Sequence, residues 1–148
     1  MSEQVTSTGR SAASPAQVWA VLGDYFRLAT WASQIDHSSA MTSTPAGPGA
    51  SRRVQVGSAV LLEEVTEWEP DAVMAYEATG LPPVVSRFEN RWTLTPDGEG
   101  TAIELVGTIE PGPRPPMKVA AKAIARRVAK TNQSLVADLV AATNQEHA

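Results

Sequence analysis

Every strand-like segment of this chain precedes one long amphipathic helix near its C-terminal end. Beyond Pro116 no Gly or Pro interrupts the sequence through Thr143. Met117, Ala121, Ile124, Val128, Leu135 and Leu139 recur at helical spacing and fall on one face. A helix of roughly 28 residues is about 40 Å long at 1.5 Å per residue. That length spans a whole sheet, and the apolar stripe needs a broad partner. An antiparallel sheet wrapped around one such helix leaves space between the two layers. The pattern therefore predicts a container for a small molecule.

Composition removes several alternatives. The 148 residues suit a single domain, 1–148, with a core of its own. A net charge of −4 argues against general nucleic-acid binding. The absence of cysteine excludes disulfides, zinc–thiolate sites and thiol catalysis. The segment MSEQVTSTGR lacks the apolar stretch of a signal peptide, and no apolar run reaches the ~18 residues of a membrane span. A cytoplasmic location is the expectation, as monomer or homodimer.

Along the chain, Glu3 to Ala12 reads as an edge strand. Ser14-Pro15 supplies a helix N-cap and first-turn proline, with Val18, Trp19, Val21 and Leu22 as the apolar side. Gly23-Asp24 stops it, and Tyr25 to Ala32 reads as a second short helix or turn. Strands are expected at Ile35–Thr44, Arg52–Val56, Val60–Trp68, Val73–Thr79, Ser86–Thr95 and Thr101–Glu110. Between them lie Pro45–Gly49, Glu69–Asp71, Gly80–Pro83 and the hairpin signal Pro96–Gly100. Residues Pro111 to Pro116 form a stiff connector into the final helix.

Period-two alternation sorts the strand faces. Phe88, Asn90, Trp92 and Leu94 share one side, as do Ile103, Leu105, Gly107 and Ile109, and Met74, Tyr76 and Ala78. Leu61 and Val65 carry Glu63 and Glu67 with them, whereas Leu62 and Trp68 favour the opposite parity. Either Glu63 or Glu64 can therefore face inward.

With these elements placed, the chain resembles the SRPBCC superfamily, which includes START lipid-binding domains, Bet v 1-like allergens and the polyketide cyclase/dehydrase group. The resemblance is carried by Ser14-Pro15-Ala16-Gln17-Val18-Trp19, Trp31, Glu63 to Pro70, the Tyr76 strand and Gly100-Thr101. It implies an α+β helix-grip fold. In that fold a curved seven-stranded antiparallel sheet grips the C-terminal helix, and two short helices follow the first strand. It also implies a hydrophobic or amphipathic ligand, such as a lipid, polyketide or aromatic metabolite, held by a carrier or sensor. A cyclase, aromatase or dehydratase-like enzyme is the alternative.

Glu63 is the acid best placed by both pattern and resemblance. It is a candidate general base, or an acceptor for ligand hydroxyls, and burial among apolar groups is expected to raise its pKa. The plainer alternative is an exposed or ion-paired glutamate, with Arg52, Arg53 or Arg87 as partner. Asn90 and Tyr76 offer polar atoms to orient a ligand among apolar neighbours. Phe88, Ile124 and Val128 supply wall; Trp19 and Trp31, closing the end near the short helices, and Trp92, packing beneath the long helix, are expected to line the ligand site as well. Asp36 and His37 are adjacent on a strand and point apart, so they form no dyad, and with His147 in a tail no metal site is expected. Ser38, Ser39 and Ser86 lack a His–acid pair. Lys118, Lys122, Arg126 and Lys130 make a basic stripe, read as a solvated helix back or as a contact for anionic lipid headgroups. No phosphate loop or base-stacking platform is present, so no cofactor is implied.

Overall fold

The computed structural model describes residues 2–81, 85–113 and 116–147. The Pro82-Pro83 loop and the Arg114-Pro115 part of the connector lie outside the described residues, as do the side chains of Met117, Lys118 and His147. The element order is β1 (Glu3–Ser11), α1 (Pro15–Leu22), a 3-10 helix (Tyr25–Thr30), β2 (His37–Ala40), β3 (Ser51–Val56), β4 (Ala59–Glu69), β5 (Val73–Thr79), β6 (Val85–Asp97), β7 (Gly100–Pro111) and α2 (Pro116–His147). The strands form one seven-stranded antiparallel sheet in the order β1-β7-β6-β5-β4-β3-β2. With α2 packed against it, this is the helix-grip fold.

Local chemistry accounts for the element ends. The Ser14 hydroxyl accepts from the Gln17 amide while the Gln17 side chain accepts from the Ser14 amide, a closed capping box with Pro15 in the first turn. Gly98 takes φ +62° between the paired residues Asp97 and Gly100, the left-handed conformation that a tight hairpin needs. Strand β2 is shorter than the expected Ile35–Thr44. The Asp36 carboxylate accepts from the Gly57 amide, and the Ser38 hydroxyl bridges the Phe26 carbonyl and the Ala29 amide.

Strand β4 departs from simple alternation at one point. Its pairing with β5 steps from Val65↔Tyr76 to Glu67↔Ala75, so Thr66 is an extra residue, a β-bulge. The bulge reverses the parity. Glu63 and Val65 face inward before it, Trp68 packs on the core after it, and Glu64 is exposed. Glu67 therefore does not accompany Glu63 to the interior. It lies on the outer face, where both of its oxygens accept from Arg91 at 2.7 and 2.9 Å and hold its carboxyl below the usual range.

Helix α2 rests mainly on β1 and β7. Two glycines permit that approach. A Cβ at Gly9 would lie 2.8 Å from a Val136 methyl, and one at Gly107 2.9 Å from the Asn132 side-chain nitrogen and 3.0 Å from a Val128 methyl. Hydrogen bonds from Ser11 to Thr143 and Asn144, and from Ser33 to Asp138, fix the C-terminal half of the helix. Among the described residues no helix is long and apolar enough to cross a membrane.

Candidate functional site: a cavity between sheet and helix

Because α2 sits over β1 and β7, the inner faces of β3 to β6 are only partly covered. One end of that space is filled by the larger core cluster, which includes Tyr25, Met74, Trp92, Leu105 and Leu139. The buried helix residues of the other cluster are small, Ala121 and Ala125, with Ile124 and Val128 packed beside them. Between the two remains a cavity of about 500 Å³. Its sheet wall includes Val54, Leu61, Glu63, Tyr76, Phe88, Asn90 and Ile109, and its helix wall Ile124, Val128, Thr131, Asn132 and Leu135. The exposed turn Gly57-Ser58-Ala59 and exposed Arg127 also line it and mark its mouth.

The polar side of this wall is built on a buried ion pair. The register places Arg52 opposite Glu63, and the two side chains are 2 % and 6 % exposed as residues. Arg52 Nε donates to Glu63 Oε1 at 2.8 Å, Nη2 lies 2.8 Å from the same oxygen, and Nη1 donates to the Tyr25 carbonyl at 2.9 Å. The guanidinium carbon sits 3.9 Å from the Tyr25 ring centroid and 4.7 Å from that of Tyr76. Tyr25 in turn donates its hydroxyl to the Glu63 carbonyl at 2.8 Å.

The electrostatics follow from burial. Burial alone would weaken the charged form of Arg52, but the Glu63 carboxylate and the two tyrosines outweigh it and hold the guanidinium above its ordinary pKa. Burial pushes the Tyr25 hydroxyl far up, and it pushes Tyr76 up with a further contribution from Glu63. A guanidinium, not an apolar shell, is therefore the nearest environment of Glu63. Glu63 is thus the ion-paired glutamate of the plainer alternative, with Arg52 as its partner.

A second polar pair crosses the cavity from sheet to helix. Asn132 Nδ2 donates to Asn90 Oδ1 at 2.9 Å, and Asn90 Nδ2 reaches Asn132 Oδ1 at 3.4 Å. Two buried amides thus satisfy each other. Next to them the Tyr76 oxygen accepts from Trp92 Nε1 at 3.3 Å.

Of the residues singled out from sequence, Glu63, Tyr76, Phe88, Asn90, Ile124 and Val128 come together in the cavity wall. The three tryptophans do not line it. Trp19 packs edge-on against Trp68 with centroids 5.0 Å apart. Trp31 packs edge-on against Trp92 at 6.4 Å and borders a separate groove with Asp24, Arg27 and Thr30. Trp92 stands behind Tyr76, wholly buried. Their large apolar surfaces are spent on core contacts between α1, the 3-10 helix and the sheet. His37 is exposed, and Ser86 donates to the Glu110 and Pro111 carbonyls. Tyr25, Asn132 and Arg127 were not anticipated from sequence, and Arg52 only as one of three pairing options. Asn132 had a signal: it lies four residues after Val128 and three before Leu135, in the gap of the apolar stripe.

These features define a class: a helix-grip domain with a largely apolar chamber carrying two buried polar pairs. The chain belongs to the polyketide cyclase/dehydrase and lipid transport family, whose model matches residues 2–140. Among solved structures it is similar to the ZhuI aromatase/cyclase from Streptomyces sp. R1128, at 17% identity and a TM-score of 0.82, over 100% of this chain and 97% of that one. A START superfamily protein from Mycobacterium smegmatis matches at 19% identity and a TM-score of 0.75, over 96% and 97% of the two chains. The di-domain aromatase/cyclase StfQ of the steffimycin biosynthetic pathway matches at 11% identity and a TM-score of 0.82, over 99% of this chain and 52% of that one. No curated protein matches the chain by sequence.

Proposed function

We propose that this protein binds a hydrophobic or amphipathic small molecule, a lipid, polyketide or aromatic metabolite, in the chamber between the sheet and α2, as a carrier or sensor. The observation that carries this reading is the chamber itself: about 500 Å³, walled by Val54, Leu61, Phe88, Ile109, Ile124 and Val128, with polar groups confined to a few fixed positions. Burial of roughly 300 Å² of apolar ligand surface would contribute roughly 7 kcal/mol before the cost of association. Glu63, Tyr76 and the Asn90–Asn132 pair would orient the guest.

The family description also names cyclases and dehydrases. In that alternative Glu63 would act as general base through Oε2, the oxygen that Arg52 leaves without a hydrogen bond. The 2.8 Å contact with Arg52 favours the binding reading, because the guanidinium offsets the negative charge on which a base depends. Titration with the fluorescent apolar probe N-phenyl-1-naphthylamine tests the binding reading. Wild-type protein is expected to bind it one to one. Ile124→Trp, which places an indole in the chamber, is expected to lose that binding while melting normally. Equal binding by both proteins would refute the reading.

A further inference from the structure

The ion pair leaves a specific polar demand on whatever occupies the chamber. Arg52 spends both of its short contacts to Glu63 on one oxygen, Oε1. Among the described residues no side chain or backbone group donates to Oε2. Trp31 Nε1 is the only unpartnered side-chain nitrogen or oxygen among them that is wholly shielded. Glu63 Oε2 therefore keeps access to the space its residue lines. It is an acceptor in need of a donor.

Tyr76 presents the opposite need. Its oxygen accepts from Trp92 Nε1 at 3.3 Å, the one side-chain hydrogen bond it makes among the described residues. That bond uses the oxygen as acceptor and leaves the hydroxyl proton, which no group among the described residues accepts. The wall thus presents one acceptor on β4 and one donor on β5, on neighbouring strands with Val65↔Tyr76 in register. A hydroxyl satisfies both at once, because it donates and accepts through one atom. A carboxylate does not. It has no proton for Oε2, and the only buried cation among the described residues, Arg52, is already engaged by Glu63 and the Tyr25 carbonyl.

From this we infer that the chamber selects a neutral apolar molecule bearing an alcohol or phenol hydroxyl, which donates to Glu63 Oε2 and accepts from Tyr76. Carboxylate-bearing guests such as free fatty acids are rejected. The inference rests on the binding reading above and adds the chemical class of the guest.

Three probes with one apolar body separate the possibilities: 9-phenanthrol, phenanthrene and phenanthrene-9-carboxylate. Each is used at pH 7 to displace N-phenyl-1-naphthylamine from the whole chain. The phenol is expected to bind about tenfold more tightly than the hydrocarbon, as a hydrogen bond to a charged acceptor allows, with the carboxylate weakest of the three. Tyr76→Phe should shrink the preference for the phenol over phenanthrene several-fold, and an unchanged preference would overturn the inference. Glu63→Gln should bring the carboxylate level with or above the phenol, since Arg52 then lacks its counter-charge. Should Glu63→Gln fail to fold, the wild-type ranking and Tyr76→Phe decide. If the dye binds and all three probes displace it equally, or the carboxylate wins in wild type, the inference is overturned and the binding reading stands. If the dye does not bind at all, both fall.

Discussion

Removing only one member of the Arg52–Glu63 pair should cost far more than removing both. In Arg52→Met, Glu63 is left as a buried carboxylate without its cation, and the Tyr25 carbonyl loses its donor at 2.9 Å. Breaking a buried pair in this way costs about 3–5 kcal/mol. For a domain of this size each kcal/mol corresponds to about 2–4 °C, so the melting temperature should fall by roughly 6–20 °C. In the double variant Arg52→Met/Glu63→Leu no charge is stranded, and side chains of similar volume fill the site. Its stability should return to within about 2 kcal/mol of wild type, because apolar replacement of both partners is often nearly neutral. The coupling is read from a double-mutant cycle by urea unfolding, with thermal melts alongside. Additive effects of the two single substitutions would refute the argument, since the pair would then contribute nothing as a pair. The double variant should also lose the preference for a phenol over a hydrocarbon. That outcome would tie the retention of a costly buried pair to recognition and not to stability.

Three further outcomes are expected. The chain contains only two tyrosines, and burial raises the pKa of both Tyr25 and Tyr76. Both ionise more readily in the unfolded chain, so the folded state holds this advantage in full below about pH 10 and loses it as the pH rises further. Absorbance at 295 nm should therefore show no tyrosinate in the native protein near pH 10, and a single rise that coincides with loss of the circular-dichroism signal; a separate earlier titration would contradict the burial. Gly107→Ala, whose methyl would meet Asn132 at 2.9 Å and Val128 at 3.0 Å, should destabilise the protein by about 1–3 kcal/mol in denaturant melts. Asn132→Leu should cost about 1–3 kcal/mol by stranding the Asn90 amide, and Asn90→Leu/Asn132→Leu should recover part of that loss.

Much of the fold was legible because it follows from spacing. The strand expected at Val73–Thr79 is β5 to the residue, and Ser14-Pro15 opens α1 through the capping box that its side chains dictate. The inward set Phe88, Asn90, Trp92 and Leu94 is buried on β6, as alternation requires. What stayed hidden has physical causes. The bulge at Thr66 is a backbone irregularity with no distinguishing residue, yet it decides that Glu67 faces solvent while Trp68 faces the core. Arg52 was one of three arginines that could meet Glu63, and only the β3–β4 register singles it out. Trp19, Trp31 and Trp92 are apolar enough for either wall or core. Edge-on contacts of Trp19 with Trp68 and of Trp31 with Trp92, which form only when the short helices fold back on the sheet, assign them to packing.

A crystal structure determined with N-phenyl-1-naphthylamine tests the central claim most directly. The account predicts the dye's density inside the fold, between β4–β6 and α2, bounded by Glu63, Phe88, Asn90 and Val128. Dye bound only at the outer groove beside Trp31, with protein side chains closing the interior, would contradict it.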